Sequence, residues 1–337
     1  HSTGRSAAMF METYGTVQIQ ALTRAGRVFF EQAQASGFSD QPVLHPRSCI
    51  YVGNHDQKEA IDKLYAEALA LSPNVALIGP DEIAKRAPCM KKELLYGGVL
   101  EPKAEDIDVD ALHQGYLKGM RKLGAVLHNN AEVLRCQRIN DKWQVELGNG
   151  EVYQAAILVN AAGAWADHIA RASGVAPVGL QPCRRTAFTF DAPEGLDLAT
   201  LPMVVDIDEK YYFKPDAGQV LGSPANADPV EAHDVVAEEI DVASGIYYIE
   251  EVTTFKIRRP NHVWAGLRSF VSDGDLVVGF DKTAEGFFWL AGQGGYGIQS
   301  SAGVSELASA LILGQPLADN LLKEKVDPAV VSPNRFR

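Results

Sequence analysis

A glycine-rich segment near the C-terminus carries the clearest chemical motif of the sequence. Gly292, Gly294 and Gly297 follow the spacing G-x-G-x-x-G, after the apolar run 287–290 and before a predicted helix. Glycines at a strand-to-helix turn let the backbone approach a ligand closely, and the N–H groups of a helix N-terminus favour a partly negative ligand atom. The segment therefore predicts a binding loop for a flat or anionic group.

The loop lacks the second half of a dinucleotide-binding unit. Such a unit needs a further strand that ends in an acidic residue about 20 residues after the glycines. Here one helix follows, and then the polar segment 322–337, which shows no strand pattern. We therefore interpret the glycines as allowing close approach to a ligand; a plain tight turn is the structural alternative, but it would need fewer glycines.

The elements around this loop indicate an α/β protein. Apolar residues at helical spacing predict helices over 16–35 and 56–71, and Asp108 is typical of an N-cap for a helix that runs to about Leu123. The last predicted helix begins after the glycine loop and ends at Gly314, followed closely by a proline.

Strand patterns dominate from residue 125 onward. The turn 148–150, Gly-Asn-Gly between two alternating runs, predicts a hairpin. The continuous apolar run 157–159 predicts a strand buried on both faces of a central parallel sheet. Residues 178–280 predict mostly strands, interrupted by one helix near 244–257. We therefore expect two interleaved units, one α/β and one largely antiparallel.

The composition argues against several classes of partner. A formal net charge of −12 disfavours nucleic acid and anionic membrane surfaces, which attract basic proteins. The cysteines and histidines show no spacing typical of zinc ligands or of a disulfide framework, so we predict no metal site. No apolar run has the length of a transmembrane segment, and no signal segment is evident. We predict a cytoplasmic protein, with peripheral attachment to the inner membrane as the alternative.

Four motifs in order resemble one family. HSTGRSAA (1–8), VNAAGAWAD (159–167), GLRSF (266–270) and GQGGYGIQ (292–299) are similar to the FAD-dependent D-amino-acid oxidase and glycine oxidase superfamily. Within it the sequence most resembles the bacterial D-arginine dehydrogenases, which share LGSPANADPVEAHD at 221–234. The resemblance covers essentially the whole chain.

The resemblance implies a Rossmann-like FAD-binding domain and a second, largely antiparallel α+β substrate domain. In that superfamily a strand, a G-x-G-x-x-G loop and a ribose-binding acid precede the stretch that opens this chain, so we expect that first βαβ unit to be missing from the given sequence. The expected domains are discontinuous: 1–46, 109–171 and 265–337 bind FAD, whereas 47–108 and 172–264 bind the substrate.

The resemblance also assigns residues to FAD. One stretch follows the phosphates and the ring, Val133 meets the adenine through its backbone, a third stretch lies along the cofactor, and the glycine loop stabilises negative charge on the flavin ring. These residues are Ser2, Thr3, Arg5, Ser6, Ala7, Val133, Ala161, Ala162, Gly163, Trp165, Gly294, Gly295, Tyr296, Gly297, Ile298 and Gln299.

The implied reaction is oxidative deamination of a D-amino acid, with hydride transfer from Cα to flavin N5 and hydrolysis of the imino acid to a 2-oxo acid and ammonia. Arg185 and Arg268 would bind the substrate carboxylate, because a planar guanidinium bonds both oxygens. Arg268 interrupts an apolar strand pattern, whereas Arg185 has the alternative of being a surface arginine. Further expected site residues are Tyr14, Tyr212, Met203, Val205 and Gly295; for the tyrosines the structural alternative is a core position.

Two departures from the D-arginine dehydrogenases affect the predicted specificity. Cys49 stands at the position of the acid that pairs with the substrate guanidinium, and Met9 at that of an active-site histidine. With Met11, they predict a site for apolar or mid-sized D-amino acids rather than for D-arginine.

Two alternatives stay open from the sequence. One is a secondary-amine oxidase for glycine, sarcosine or proline-like substrates, and the other is a binding protein without flavin. The electron acceptor, oxygen or a quinone, and the oligomeric state are not determined by the sequence.

Overall fold

The computed structural model describes residues 2–337, so His1, the first residue of the N-terminal motif, lies outside the described residues. The α-helices are α1 (Val17–Gln32), α2 (Lys58–Leu71), α3 (Pro80–Arg86), α4 (Val109–Lys122), α5 (Ala166–Ala172), α6 (Glu239–Val252), α7 (Gly297–Leu313), α8 (Asp319–Lys323) and α9 (Pro328–Val331). Across residues 2–337, no helix combines the length and the apolarity that crossing a membrane requires.

Among residues 2–337 the strands form four sheets. They are β1 (Met9–Phe10), β2 (Leu44–Pro46), β3 (Cys49–Gly53), β4 (Ala76–Ile78), β5 (Gly97–Glu101), β6 (Glu105–Ile107), β7 (Val133–Ile139), β8 (Lys142–Leu147), β9 (Val152–Ala155), β10 (Leu158–Asn160), β11 (Gln181–Phe190), β12 (Met203–Asp206), β13 (Tyr212–Asp216), β14 (Gln219–Ser223), β15 (Asp228–Pro229), β16 (His262–Phe270), β17 (Val277–Phe280) and β18 (Phe287–Ala291).

The largest sheet has nine strands and supports the site. Its order is β15-β11-β14-β13-β12-β3-β5-β4, and β16 pairs with β11 beside this path. Every pairing in it is antiparallel except that of β12 with β3. The predicted α/β fold with a largely antiparallel sheet is confirmed. The domain division stays a prediction. β16 crosses the proposed boundary at residue 265 and pairs with β11 on both sides of that boundary.

Most predicted helices are confirmed with their caps. Asp108 accepts a hydrogen bond from the N–H of Ala111 at 2.8 Å, and α7 ends at Gly314 with φ 62°, a left-handed conformation that glycine adopts at little cost. The helix predicted near 244–257 instead spans α6, five residues earlier at both ends. Acidic residues in its first turn favour the earlier start, and the chain beyond it leaves the helix because Thr253 forms a bridge with Met90.

The predicted hairpin is confirmed, whereas the burial predicted for the apolar run is not. β8 and β9 pair antiparallel across the glycine turn, where Gly150 has φ 85°. β10 does pair parallel with β18, but Val159 is 40% exposed. Within residues 2–337, β10 lies at the edge of the three-stranded sheet β10-β18-β17, and the burial predicted for it on both faces is not found there.

Helices α1 and α7 pack closely and both begin beside the site. A Cβ at Gly303 would lie 2.2 Å from the backbone oxygen of Leu22, and a Cβ at Gly26 would lie 3.1 Å from the backbone nitrogen of Gly303. The two glycines therefore set how near the helix axes approach. The apolar core between them includes Ile19, Leu22, Val304 and Leu307.

We expect Gly303→Ala to lower the free energy of unfolding by about 1–3 kcal/mol, because the added methyl meets backbone and the helices must separate. Gly119→Ala is the matched control, since Gly119 lies in α4 with open space where its Cβ would be, and should raise stability by about 0.5–1 kcal/mol. Urea unfolding of both variants checks this; equal effects would contradict the close packing.

Candidate active site

Two neighbouring cavities adjoin the glycine loop. The small cavity, of about 70 Å³, is lined by Ser6, Ala7, Ala8, Met9, Met11, Tyr14, Tyr51, Arg185, Met203, Val205, Glu209, Tyr212, Ala225, Arg268, Gly295 and Gln299. The cleft, of about 420 Å³, runs from the N-terminal segment to the start of α7. Both are lined by Ser6, Ala7, Arg185, Tyr212, Arg268 and Gly295, so these residues form the junction between them.

Arg185 and Arg268 lie on one face of the pair β11 and β16. The register pairs Arg268 with Cys183 and Arg185 with Gly266, so the two arginines are diagonal neighbours. Arg185 donates from Nε to the backbone oxygen of Asn226, and Arg268 donates to the hydroxyl of Tyr14 at 3.3 Å. Burial lowers the pKa of Arg185, and the positive charge of Arg268 lowers it further.

The preceding residue on β11 faces the opposite side. Arg184 forms ion pairs with Asp241 at 2.9 Å, with Asp228 at 3.4 Å and with Glu238. Arg185 has only Glu209, at 3.8 Å, and Arg268 forms no ion pair with a carboxylate within residues 2–337. Arg184 and Arg185 are each only 8% exposed, so the surface-arginine alternative for Arg185 is wrong. The junction thus carries positive charge that protein carboxylates neutralise only in part.

Strand register also brings the apolar wall together. Along the parallel pair β12 and β3, Met203 lies beside Cys49 and Val205 beside Tyr51. Met203, Val205 and Tyr51 line the small cavity, as do Met9 on β1 and Met11, which directly follows this strand. This side of the cavity is apolar apart from the tyrosine hydroxyl.

Cys49 does not line the small cavity, in contrast to its predicted place there. It is fully buried in the same apolar cluster, between Met203 on β12 and Glu101 on β5. Burial raises the pKa of its thiol well above the usual value. Tyr51, two residues further along the same strand face, takes the position on the cavity.

Sequence reasoning missed four residues that line the small cavity, Ala8, Tyr51, Glu209 and Ala225, of which Tyr51 and Glu209 carry polar groups. The alternation of side chains along β3 could have identified Tyr51, because residues two apart share a face. Glu209 lies in the turn between β12 and β13 with φ 54°, and no periodic pattern marks it. The turn is shaped by Asp206, whose carboxylate accepts from the N–H groups of Asp208 and Lys210.

The residues assigned to the cofactor fall into two groups. Those that line the cleft are Ser2, Thr3, Arg5, Ser6, Ala7, Ala161, Gly163, Gly294, Gly295, Gly297 and Ile298. Gln299 lines the small cavity, whereas neither cavity is lined by Val133, Ala162, Trp165 or Tyr296. Val133 lies on β7 opposite Leu147, and Tyr296 packs edge-on against Tyr14 with ring centroids 4.9 Å apart.

The guanidinium of Arg5 is directed at the protein. It donates to the backbone oxygens of Val235 at 3.1 Å and Ala265 at 3.0 Å and pairs with Asp234 at 2.7 Å. Trp264 donates in return to the backbone oxygen of Arg5. Arg5 therefore ties the N-terminal 3-10 helix, residues 2–5, to β16.

The glycine loop leaves the start of α7 open. In the part of the chain that the structure describes, no side chain caps this 17-residue helix, and its first turn holds no acidic residue. Its N–H groups therefore offer partial positive charge to a ligand in the cleft. Gly294 has φ 50°, and a Cβ there would lie 2.5 Å from the ring of Phe270. The backbone at this point requires glycine, and the ligand can approach it closely.

Comparison with known families decides the class of ligand. A model described as "FAD dependent oxidoreductase" (DAO) matches residues 1–311. The chain belongs to this family. In DAO proteins the cofactor is FAD, and the cleft suits it: small side chains and glycines leave its walls open to a flat ring system, and the uncapped helix faces it.

This DAO protein matches only part of the length of its relatives. The chain is 22% identical over 313 residues to "FAD-dependent oxidoreductase domain-containing protein 1" of Mus musculus, covering 80% of this chain and 62% of that protein. It is 26% identical over 280 residues to mitochondrial dimethylglycine dehydrogenase of Mus musculus, covering 77% and 31%. It therefore spans less than two thirds of the length of these relatives.

A solved structure shows the same DAO fold. L-proline dehydrogenase from P. horikoshii superposes with a TM-score of 0.84 at 18% identity, covering 99% of this chain and 87% of that chain. At this identity the similarity establishes the fold, and the substrate must be argued from the site.

We expect Gly294→Ala to destabilise the protein more than Gly295→Ala. At Gly294 the left-handed backbone and the ring of Phe270 both oppose a side chain, for about 1–3 kcal/mol. At Gly295 the added Cβ would meet the end of Arg268 at 2.8 Å, which can move, so the loss should stay below about 1 kcal/mol. Thermal unfolding of the pair is the measurement; a larger loss for Gly295→Ala would contradict it.

Proposed function

We propose that this protein oxidises amino acids at Cα with FAD, and that D-amino acids with apolar side chains are its substrates. The product imino acid is hydrolysed to a 2-oxo acid and ammonia. The observation that carries the proposal is the junction between the cavities, where two arginines share one sheet face and, among residues 2–337, only Glu209 forms an ion pair with either. Such incompletely neutralised positive charge favours an anionic ligand, and a carboxylate matches the planar guanidinium.

The residues of the junction take complementary roles. Arg185 and Arg268 bind the substrate carboxylate, and the hydroxyls of Tyr14 and Tyr212 frame it. The carbonyl of Gly295 accepts a hydrogen bond from the substrate amine, and the absence of a side chain there leaves room for Cα. The methionines and Val205 contact the side chain. When bound, FAD supplies the hydride acceptor.

The cofactor contacts proposed for this chain follow the cleft. The N-terminal segment 2–7 and the loop 161–163 lie along FAD, and Gly294, Gly297 and Ile298 present backbone to its ring. The uncapped N-terminus of α7 stabilises negative charge there. Four further residues are proposed to contact FAD outside the two cavities: Val133, Ala162, Trp165 and Tyr296. The proposed acceptor of the electrons is oxygen or a quinone.

The size and polarity of the small cavity support apolar, small to mid-sized substrates. Its 70 Å³ corresponds to roughly five to seven water-sized positions at ~10–15 Å³ each. Cys49 offers no charge, and Glu209, the one acid on the lining, is paired with Arg185. A basic side chain would have to compete with Arg185 for Glu209, and we propose that the preference for D-arginine is absent.

A second candidate is oxidation of a small secondary or tertiary amino acid. The small cavity favours it, and so do the activities named for relatives, which act on dimethylglycine and L-proline. In this case the same two arginines bind the carboxylate, and the N-alkyl group occupies the apolar wall. Only the groups around the nitrogen and Cα distinguish the two candidates.

Anaerobic mixing of the FAD-loaded protein with single compounds tests the proposal. We expect D-methionine, D-leucine and D-phenylalanine to bleach the visible absorption of bound FAD faster than D-arginine and than the L-enantiomers. Faster bleaching by sarcosine, dimethylglycine or proline would instead establish the second candidate. No bleaching by any amino compound, with FAD bound, would contradict both.

Arg268→Lys should raise KM for the substrate by about 30-fold, since a lysine cannot form the two parallel hydrogen bonds and about 2 kcal/mol is lost. Arg185→Lys should act in the same direction. Arg184→Lys is the matched control: it changes the neighbouring residue on the opposite face, so it should lower stability and leave KM near the wild-type value. A KM change in Arg184→Lys as large as in Arg185→Lys would contradict the assignment. Steady-state kinetics with each enzyme are the measurement.

A further inference from the structure

The segment 11–15 carries Met11 and Tyr14 to the small cavity without being part of a helix or strand. Side chains from other elements hold its backbone instead. Gln20 on α1 donates to the oxygens of Thr13 at 3.0 Å and Gly15 at 2.9 Å. Gln299 on α7 donates to the oxygens of Met11 and Tyr14, both at 3.2 Å. The place of Tyr14 therefore depends on these side-chain contacts.

A buried carboxylate completes this set of contacts. Glu101 at the end of β5 accepts from the N–H of Glu12 at 2.7 Å and from the hydroxyl of Thr13, and it is only 3% exposed. Within residues 2–337 it forms no ion pair. Arg27, whose charge acts on Glu101, is itself bound to Glu12 at 2.5 Å and to Glu105 at 3.0 Å. The segment therefore provides both hydrogen-bond donors to Glu101.

We propose that Glu101 is a positioning residue: in its ionised form it fixes segment 11–15 so that Tyr14 meets Arg268, and its protonation loosens the segment and weakens carboxylate binding. The coupling to binding rests on the function proposed above. The hold on the segment does not, because it follows from the contacts alone.

The chemistry of the two protonation states supports this coupling. An ionised carboxylate accepts both hydrogen bonds, and bonds to a charged acceptor are the stronger ones. A protonated carboxyl turns one oxygen into a donor, so the bond with the hydroxyl of Thr13 must reverse its direction, and both bonds lose their charged acceptor. The contacts from Gln20 and Gln299 carry no charge and keep the same strength at every pH.

The surroundings of Glu101 bring its change of protonation state close to neutral pH. Burial raises the pKa of Glu101 to about 7, against the opposing effects of the two hydrogen bonds and of the charge on Arg27. Glu12 raises it as well. The other titratable groups on the elements packed around it are Cys49 and Tyr51 on β3, whose pKa values lie well above their usual range, and Tyr14, Arg27 and Glu105.

Ionisation of Glu101 has opposite effects on the stability of the whole protein and on the hold on segment 11–15. Because the pKa is raised in the folded protein, the native state holds a proton that the unfolded chain loses at lower pH. The contribution of Glu101 to stability is therefore full below its usual pKa and is lost as the pH rises to about 7. Ionisation costs global stability while it strengthens the local hold on Tyr14.

Glu101→Gln tests the proposal, because glutamine resembles the protonated acid at every pH. Two measurements apply: hydrogen-exchange protection of amides 11–15, and the Kd of isobutyrate, a carboxylate without an amine, for the FAD-loaded protein. In the wild type, the protection of these amides should fall from pH 8 to pH 6, and the Kd of isobutyrate should rise about tenfold. A tenfold change corresponds to the loss of one charge-assisted hydrogen bond. In Glu101→Gln both should be independent of pH and match the wild type at pH 6.

Glu12→Gln is the matched control, since it keeps the backbone N–H that Glu101 accepts. It should keep the pH dependence and move its midpoint to lower pH, because a charge that raises the pKa of Glu101 is gone. Glu101→Gln should also be more stable than the wild type at pH 8, whereas an ordinary structural loss would make it less stable.

The outcomes separate the inference from the proposed function. Wild-type protection of amides 11–15 in Glu101→Gln at pH 8 would overturn the positioning role. Altered protection with unchanged isobutyrate affinity would overturn the coupling to binding. If isobutyrate binds neither protein, the carboxylate site and the coupling both fail, and the exchange result alone then decides the positioning role.

Discussion

The site depends on keeping two buried guanidinium groups charged while leaving them available to a ligand. A buried charge is costly without a partner, and a complete partner would leave nothing to bind. The strand β11 meets both conditions through alternation: Arg184 on one face is surrounded by three carboxylates, and Arg185 on the other is held by a backbone carbonyl and one distant carboxylate. The sheet geometry separates a structural arginine from a buried arginine that stays available to a ligand, one residue away.

The two cavities follow from the same geometry. β16 runs beside β11 and brings Arg268 to the shared face, while β12 and β3 supply the apolar wall. The cleft meets this wall only at the junction, where the glycine loop provides backbone instead of side chains. A polar end and an apolar end are thereby built into one small volume, which is the arrangement that an amino acid with an apolar side chain requires.

Local patterns predicted the local parts of this structure well. Helical spacing and caps located α1, α2, α4 and α7, and the glycine turn located the hairpin of β8 and β9. The resemblance supplied the two arginines and most of the wall. The burial of Val159 failed because a strand's apolar pattern does not say whether neighbours stand on both sides of it.

The remaining failures share a physical cause, which is that they depend on contacts between distant segments. Cys49 lies beneath the wall because β12 and β5 flank it, and Glu209 reaches the cavity through a turn shaped by Asp206. Glu101 acquires its unusual environment from a segment about ninety positions away in the chain. No spacing along the sequence encodes such neighbours.

The crossing of α1 and α7 has a mechanical consequence for the site. α1 begins just after Tyr14 and α7 just after Gly295, and the two glycines at their crossing let the helices lock together as one stiff unit. The crossing at Gly303 lies about 9 Å along α7 from its start, at 1.5 Å per residue. The distance between Tyr14 and the glycine loop therefore depends on a helix contact outside the site, so a change in this contact also changes the geometry of the small cavity.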